Sequence, residues 1–206
     1  TGMSYVSFNN AYGFPIYVQS QQAVQYGTLI FDGSSTTVDN LAFSNINTSN
    51  VVALDFAAPT IRDSTFVLGD DGRGYDAAAV RVYDAGAGIL SALTITGSTL
   101  TGNTQAQCGN QGGGRVLIYA ENSYISMDNL DVKDNAFGVF LKGSSGSLGN
   151  STFDVLCNAI DTNAYKSTGD FAHTLYLDNN VITTGEGAGI TAVSYTHLRA
   201  HETVVH

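Results

Sequence analysis

The stretch Ser126–Asn135 reads SMDNLDVKDN and sets the pattern for the whole chain. Within it the apolar residue Met127 is followed two positions later by Asn129, and three positions after that by the apolar residue Val132. The same frame recurs in Val38-Asn40-Phe43, Ile61-Asp63-Phe66, Ile95-Gly97-Leu100, Leu148-Asn150-Phe153 and Leu177-Asn179-Ile182, with a looser copy in Met3-Tyr5-Phe8. Successive copies lie 21 to 35 residues apart. A repeat of this length with variable insertions predicts a solenoid.

A short run of β-branched or aromatic residues follows each copy of the frame. These runs lie at 14–18, 51–56, 79–83, 115–119, 138–141, 158–161 and 188–191. Each is bounded by Gly, Asn, Asp or Ser, which is typical of strands. None has the length or spacing of an amphipathic helix. We therefore predict two strands per repeat, with room for a short third.

An Asn that recurs at a turn between short strands, followed three positions later by an apolar residue, resembles the right-handed parallel β-helix proteins of the pectin-lyase-like architecture. The resemblance covers roughly residues 3–191. It implies an all-β solenoid of about seven coils, each with three short strands. The architecture is shared by polysaccharide lyases, autotransporter passengers and other large surface proteins, so the resemblance is specific for the fold and says little about function.

Equivalent residues of successive coils in such a fold lie ~4.8 Å apart. The sequence therefore predicts an internal column that contains Phe43, Phe66 and Phe153. It also predicts a ladder of corner asparagines, each bonded to the backbone or amide of the next coil. The members of this ladder are Asn40, Asn129, Asn150 and Asn179.

The composition excludes two classes of partner. Of 206 residues only 13% are charged, and the net charge is −10. Binding to nucleic acid or to an anionic membrane surface needs clustered cations, which this chain lacks. No stretch approaches the ~20 apolar residues of a membrane-spanning helix, so we expect no membrane insertion.

We interpret residues 1–192 as one β-helix domain, a fragment without caps whose export signal lies outside it. The repeat pattern stops near Val193, and the segment Ser194–Thr203 reads SYTHLRAHET. This segment resembles a translated sequencing adapter, so residues 193–206 are interpreted as a non-native tail. The alternative is a short basic helix. For this reason His197 and His201 are not considered a metal-binding pair.

Long insertions are where a solenoid carries function, and they lie at 67–78, 103–114 and 161–173. The first holds Asp70, Asp71, Arg73 and Asp76. Asp70, Asp71 and Asp76 are candidate Ca²⁺ ligands because clustered carboxylates supply the oxygens this ion prefers. Asp70, Asp71 and Arg73 are also candidate catalytic residues, and the alternative is a solvated acidic loop.

A further candidate set for chemistry has an equally simple alternative. Lys166, Asp170 and His173 in the third insertion could transfer protons, or they could be dispersed polar residues. The polygalacturonase-like members that the chain resembles use an Asn-Thr-Asp motif, an Asp pair, a Gly-His-Gly and an Arg-x-Lys. Of these, only the pair Asp70-Asp71 is present, in a loop.

The chain has two cysteines, Cys108 and Cys157. Both follow a frame strand, about two coils apart, which places them ~10 Å from each other and beyond disulfide range unless the 103–114 loop folds across. A disulfide and two free thiols therefore stay open as alternatives. A disulfide would indicate an oxidising compartment.

Two functions are consistent with the sequence. The first is a non-catalytic segment of a large secreted or cell-surface β-helix protein, monomeric, which serves as a stalk, adhesin or glycan-contacting surface. In this reading Tyr17, Tyr83 and Tyr119 are exposed and stack on sugars, the alternative being ordinary strand residues. The second is a polysaccharide lyase or glycoside hydrolase, which requires aligned carboxylates on one face.

Overall fold

The computed structural model describes residues 3–4, 7–9, 16–18, 27–32, 35–46, 49–54, 57–68, 78–83, 91–102, 108, 116–163, 174–193 and 197–205. Every regular element within these ranges is a β-strand, and none of these residues is helical. The described part of the chain accordingly has no helix that could cross a membrane. The prediction of an all-β protein is confirmed.

The strands are short, and most hold three to six residues. In chain order they are β1 (Met3–Ser4), β2 (Ser7–Asn9), β3 (Ile16–Val18), β4 (Gly27–Asp32), β5 (Thr37–Asp39), β6 (Ala42–Ile46), β7 (Ser49–Leu54), β8 (Thr60–Arg62), β9 (Thr65–Leu68), β10 (Val80–Tyr83), β11 (Ala92–Thr96), β12 (Thr99–Thr101), β13 (Val116–Glu121), β14 (Tyr124–Asp128), β15 (Asp131–Asn135), β16 (Phe137–Lys142), β17 (Ser145–Gly149), β18 (Thr152–Val155), β19 (Ile160–Asn163), β20 (Thr174–Thr184), β21 (Ile190–Val193) and β22 (His197–Val205).

These strands form two parallel sheets. The larger sheet has fourteen strands, namely two arms of six strands that meet in β20, and β22, which pairs with β20. The first arm contains β1, β5, β8, β11, β14 and β17, and the second arm contains β2, β6, β9, β12, β15 and β18. The second sheet has the order β21-β19-β16-β13-β10-β7-β4-β3. Because neighbours are parallel and come from successive repeats, the arrangement is compatible with a β-helix.

The second apolar position of the frame forms one continuous row across the second arm. Register pairs Phe8, Phe43, Phe66, Leu100, Val132, Phe153 and Ile182 in that order. Phe43, Phe66 and Phe153 are each at most 1% exposed. The rings of Phe43 and Phe66 stack with centroids 5.1 Å apart and planes 9° apart. The predicted internal column is therefore confirmed.

The first apolar position forms a second row, across the first arm. It runs through Met3, Val38, Ile61, Ile95, Met127, Leu148 and Leu177. The second sheet adds residues such as Val80 and Val82 to the same core, while Arg81 between them points to the opposite face. The alternation follows from the two-residue period of a strand.

The C-terminal tail contains a strand rather than the short helix considered as an alternative. β22 pairs in parallel with β20, and the register shifts between Asp178 and Val181. The second-sheet strand before it, β21, extends to Val193. The origin of residues 193–206 stays a prediction.

We expect Phe66→Ala to lower the free energy of unfolding by about 3–5 kcal/mol, because it opens a cavity between Phe43 and Leu100. Urea unfolding followed by far-UV circular dichroism measures this change. Thr65→Ala is the matched control on the same strand, and because Thr65 is exposed it should change stability by less than about 0.5 kcal/mol. Equal effects of the two changes would contradict the stacked core.

Candidate functional site

The acidic insertion predicted from sequence lies outside the described residues. This applies to Asp70, Asp71, Arg73 and Asp76, and also to the candidate proton-transfer residues Lys166, Asp170 and His173. Across the ranges that the structure describes, no three His, Cys, Asp or Glu side chains are grouped so as to hold a metal ion. Calcium binding and catalysis by the insertion stay predictions.

The three tyrosines predicted to be exposed have different outcomes. Tyr17 lies in β3 and Tyr83 in β10, and their side chains are outside what the structure describes. Tyr119 is only 6% exposed, so its predicted exposure is wrong. Its ring stacks on Phe140 with centroids 5.7 Å apart, and the Arg81 guanidinium carbon lies 5.2 Å from its centroid.

Two other tyrosines, missed by the sequence analysis, are exposed on the first arm. Tyr124 in β14 is 43% exposed and Tyr176 in β20 is 50% exposed. Strand alternation could have found them, because Tyr124 is three residues before the buried Met127 and Tyr176 is one residue before the buried Leu177. An odd offset from a buried strand position places a side chain on the outer face.

The four predicted corner asparagines share an unusual backbone conformation. Asn40, Asn129, Asn150 and Asn179 have φ of 54°, 53°, 49° and 55°, in the left-handed region. Asn tolerates this region better than other side-chain-bearing residues do. Asp63 and Gly97 occupy the same position with φ of 50° and 61°. The recurrence of Asn therefore reflects a backbone requirement at each turn.

The corner backbones form a regular hydrogen-bond ladder. Each corner N–H donates to the carbonyl of the residue just before the next corner. These bonds are Asn40 to Arg62 (3.1 Å), Asp63 to Thr96 (3.1 Å), Gly97 to Asp128 (3.1 Å), Asn129 to Gly149 (3.0 Å) and Asn150 to Asp178 (3.0 Å). They hold successive repeats in register, because each bond fixes one turn against the next.

Among the corners that the structure describes, the predicted amide ladder exists at one end. Asn179 Nδ2 donates to Asn150 Oδ1 at 2.9 Å. Asn150 Nδ2 then donates to Asp128 Oδ1 at 2.8 Å, rather than to Asn129 as expected. Among the described residues the side chain of Asn129 has no hydrogen-bond partner. Gly97, at the next corner, has no side-chain amide. The side-chain ladder therefore stops before this corner, whereas the backbone ladder continues through it.

A second structural device, missed by the sequence analysis, is a buried serine directly after the corner. Ser64, Ser98 and Ser151 are each at most 2% exposed. Each Oγ accepts a hydrogen bond from the backbone N–H one repeat earlier; the donors are Leu41 (3.1 Å), Ser64 (3.1 Å) and Leu130 (3.0 Å). Each hydroxyl also donates to a carbonyl two residues back in its own turn. The available signal was the serine that directly follows three of the six corner residues, Asp63, Gly97 and Asn150.

The same device holds another turn, between the second sheet and the first arm. Asn122 and Gly143 have φ of 46° and 58° and precede Ser123 and Ser144. The N–H of Ser123 donates to Ser144 Oγ at 3.1 Å. One left-handed residue followed by one buried hydroxyl thus recurs at two different turns of this chain.

A depression of about 330 Å³ lies at the corner where Gly97 replaces Asn. It is lined by Gly97, Ser98, Thr99, Asn129, Leu130, Asp131, Asn150 and Thr152. Asp131 is its sole titratable lining residue, and its carboxylate is ion-paired with Lys133. These hydroxyl, amide and carboxylate groups can hydrogen-bond to a polar ligand. They provide no second carboxyl for acid–base chemistry at the same place.

The outer face of the second sheet carries an ionic cluster around Glu121. Its Oε1 lies 2.6 Å from Lys142 Nζ, and its Oε2 accepts a 2.7 Å hydrogen bond from the Tyr119 hydroxyl. Partial burial acts to raise the pKa of Glu121. The hydrogen bonds from Lys142 and Tyr119, with the positive charges of Lys142 and Arg81, outweigh burial and lower this pKa below its ordinary value of 4.5.

Asp161 lies on the same face and is shifted in the opposite direction. Partial burial raises its pKa, against the effect of a hydrogen bond from Asn158. Oppositely shifted carboxyls are a feature of acid–base pairs. Here, however, both oxygens of Glu121 are already engaged. Register also places Asp161 two strands and two residues away from Glu121, about 12 Å between Cα atoms by strand geometry.

Cys108 and Cys157 form a disulfide with their Cα atoms 5.5 Å apart. Of the two alternatives that the sequence left open, the structure has the bridge. The ~10 Å expected from coil spacing is shortened because Cys108 lies in the insertion after β12 rather than on a strand.

Comparisons with known proteins return no match to a protein-family model, to a curated protein or to a solved structure. The kind of protein is therefore argued from its geometry.

We expect Ser151→Ala to lower the free energy of unfolding by about 1–3 kcal/mol, because the buried N–H of Leu130 loses its acceptor. Chemical denaturation at neutral pH measures the change. Ser35→Ala, at an exposed position, is the control and should have little effect. A neutral Ser151→Ala would show that the buried hydroxyl does not stabilise the turn.

The Glu121 cluster should make stability depend on pH in a defined direction. Its folded-state pKa is lowered, so its contribution is complete above 4.5 and is lost as pH falls through the lower folded value. Glu121→Gln should therefore reduce stability near neutral pH and flatten the loss on the acid side. Urea midpoints from about pH 7 to about pH 3 measure this. Glu186→Gln, at an exposed carboxylate, should leave the acid-side slope unchanged.

Proposed function

We propose that the chain is a segment of a right-handed parallel β-helix of about seven coils in a large secreted or cell-surface protein. In that protein it serves as a non-catalytic stalk, adhesin or glycan-contacting surface. The observation that carries the proposal is the unbroken row from Phe8 to Ile182, with one residue from every repeat.

The shared roles of equivalent residues in successive repeats support a scaffold function. Each repeat from Val38 to Ile182 contributes its apolar positions to one shared core, and the corner residues from Asn40 to Asn150 donate to one backbone ladder. Such contacts link a repeat mainly to its neighbours, so the fold can be extended without redesign. A regular body that can be lengthened by adding repeats suits a protein that spans a distance.

The described polar groups support a non-catalytic role. The corner depression has one carboxylate, which is paired with Lys133. Both oxygens of Glu121 accept structural contacts. A glycosidase or lyase site needs carboxylates free to meet the substrate.

The disulfide and the surface charge support an extracellular or cell-surface location. Disulfides persist in oxidising compartments, and both cysteines of this chain are paired. The net charge of −10 helps an extended body to stay soluble. In the same proposal the segment is monomeric, and residues 193–206 are a non-native tail whose strand β22 adds to the edge of the sheet at β20.

An assay for carbohydrate turnover tests this function. The purified chain is incubated with neutral and acidic polysaccharides, and new reducing ends and ultraviolet-absorbing unsaturated products are measured. We expect neither above the level of heat-denatured protein. Turnover abolished by Asp161→Asn or by Glu121→Gln would overturn the proposal in favour of a polysaccharide lyase or glycoside hydrolase.

A further inference from the structure

The outer face of β14, β17 and β20 differs from the rest of the described surface in its exposed aromatic rings. Tyr124 and Tyr176 are 43% and 50% exposed, whereas their strand neighbours Ile125 and Leu175 are at most 1% exposed. Alternation therefore fixes both rings on the outer side of the first arm. Tyrosine is enriched at interfaces because one end of its side chain is apolar and the other polar, so two exposed tyrosines on one face mark it as a candidate contact surface.

Small hydroxyl residues lie between the two rings. Register places Ser145 opposite Tyr124, and Ser147 between Ser126 and Tyr176 on neighbouring strands. The Ser147 hydroxyl donates to Ser126 Oγ at 3.3 Å. Because these side chains are short, the rings stand above the surface between them. Each serine oxygen can also exchange hydrogen bonds with a ligand.

The spacing of the rings suits an extended ligand. Tyr124 and Tyr176 are two strands apart and two residues apart along the strands. With ~4.8 Å between strands and ~3.3 Å per residue, their Cα atoms are about 12 Å apart. A chain molecule lying diagonally across β17 would reach both rings and pass over Ser147.

The charges on this face limit the ligand class. Asp128 and Asp178 are exposed on the same three strands, and register places Gly149 between them. Negative groups at this edge, in a chain of net charge −10, repel an anionic ligand. An anionic ligand is therefore disfavoured, and an uncharged ligand with flat apolar faces for the rings and hydroxyls for the serines matches the groups on this face.

From these observations we infer that the outer face of β14, β17 and β20 binds a neutral polysaccharide, with Tyr124 and Tyr176 as two stacking platforms. A pyranose ring has a C–H face that packs on an aromatic ring and a hydroxyl rim that hydrogen-bonds to serine. This inference rests on the glycan-contacting role proposed above and assigns that role to named residues.

Affinity electrophoresis tests the site. The full chain is run in native gels that contain a soluble β-1,4-glucan, a galactomannan, a xylan or polygalacturonate. We expect retardation by at least one neutral polymer. Tyr124→Ala and Tyr176→Ala should each weaken binding about five- to tenfold, and the double variant should abolish measurable retardation. Tyr124→Phe and Tyr176→Phe should retain most of the binding, since the ring face makes the contact.

Val181→Ala is the matched control, because Val181 is 47% exposed on the same strand but lies beyond the corner at Asn179. It should bind as the unmodified chain does, and thermal unfolding should show all variants folded. Absence of binding to every neutral polymer, retention of binding by the double variant, or stronger binding to polygalacturonate would each overturn the inference. These measurements report binding and do not detect carbohydrate turnover. The proposal of a non-catalytic scaffold is therefore tested separately, by the turnover assay.

Discussion

The structure depends on the turn between the two arms, at which the backbone adopts the left-handed conformation in each repeat from Asn40 to Asn179. A residue with φ near 50° at this point directs its N–H to the carbonyl one repeat later. Most side chains resist that conformation, and the chain therefore uses Asn, Asp or Gly there. Once the turn is fixed, the apolar positions on either side can only stack on their equivalents. Register, core and outer face all follow from this local constraint.

This constraint explains what the sequence could and could not reveal. The frame around Asn129 predicts both apolar rows. Its two apolar residues are the inward-facing positions of the two strands that flank the turn, so each of them belongs to one row. The buried serines were not predicted, because the frame consists of the asparagine and two apolar residues and does not include the residue that follows the asparagine. Ser64 and Ser151 stabilise the turn as directly as their asparagine or aspartate neighbours do.

Surface properties were harder to predict, since they depend on contacts between repeats that are distant in sequence. Tyr119 does point away from the core, as alternation requires, yet it is buried because Phe140 and Arg81 pack against its ring. Tyr124 and Tyr176 each have a small serine neighbour on β17, and both stay exposed. The disulfide likewise depends on how far an insertion reaches, which strand spacing does not determine.

The covalent link between Cys108 and Cys157 has a mechanical consequence. The two cysteines are 49 residues apart in the chain, a segment that would span about 170 Å if pulled straight. When both ends of the protein are under tension, force passes through the sulfur–sulfur bond instead of through that segment. Repeats outside the bridge can unravel one after another, whereas those inside it carry no load. Oxidation thus sets a limit on how far this body can be stretched.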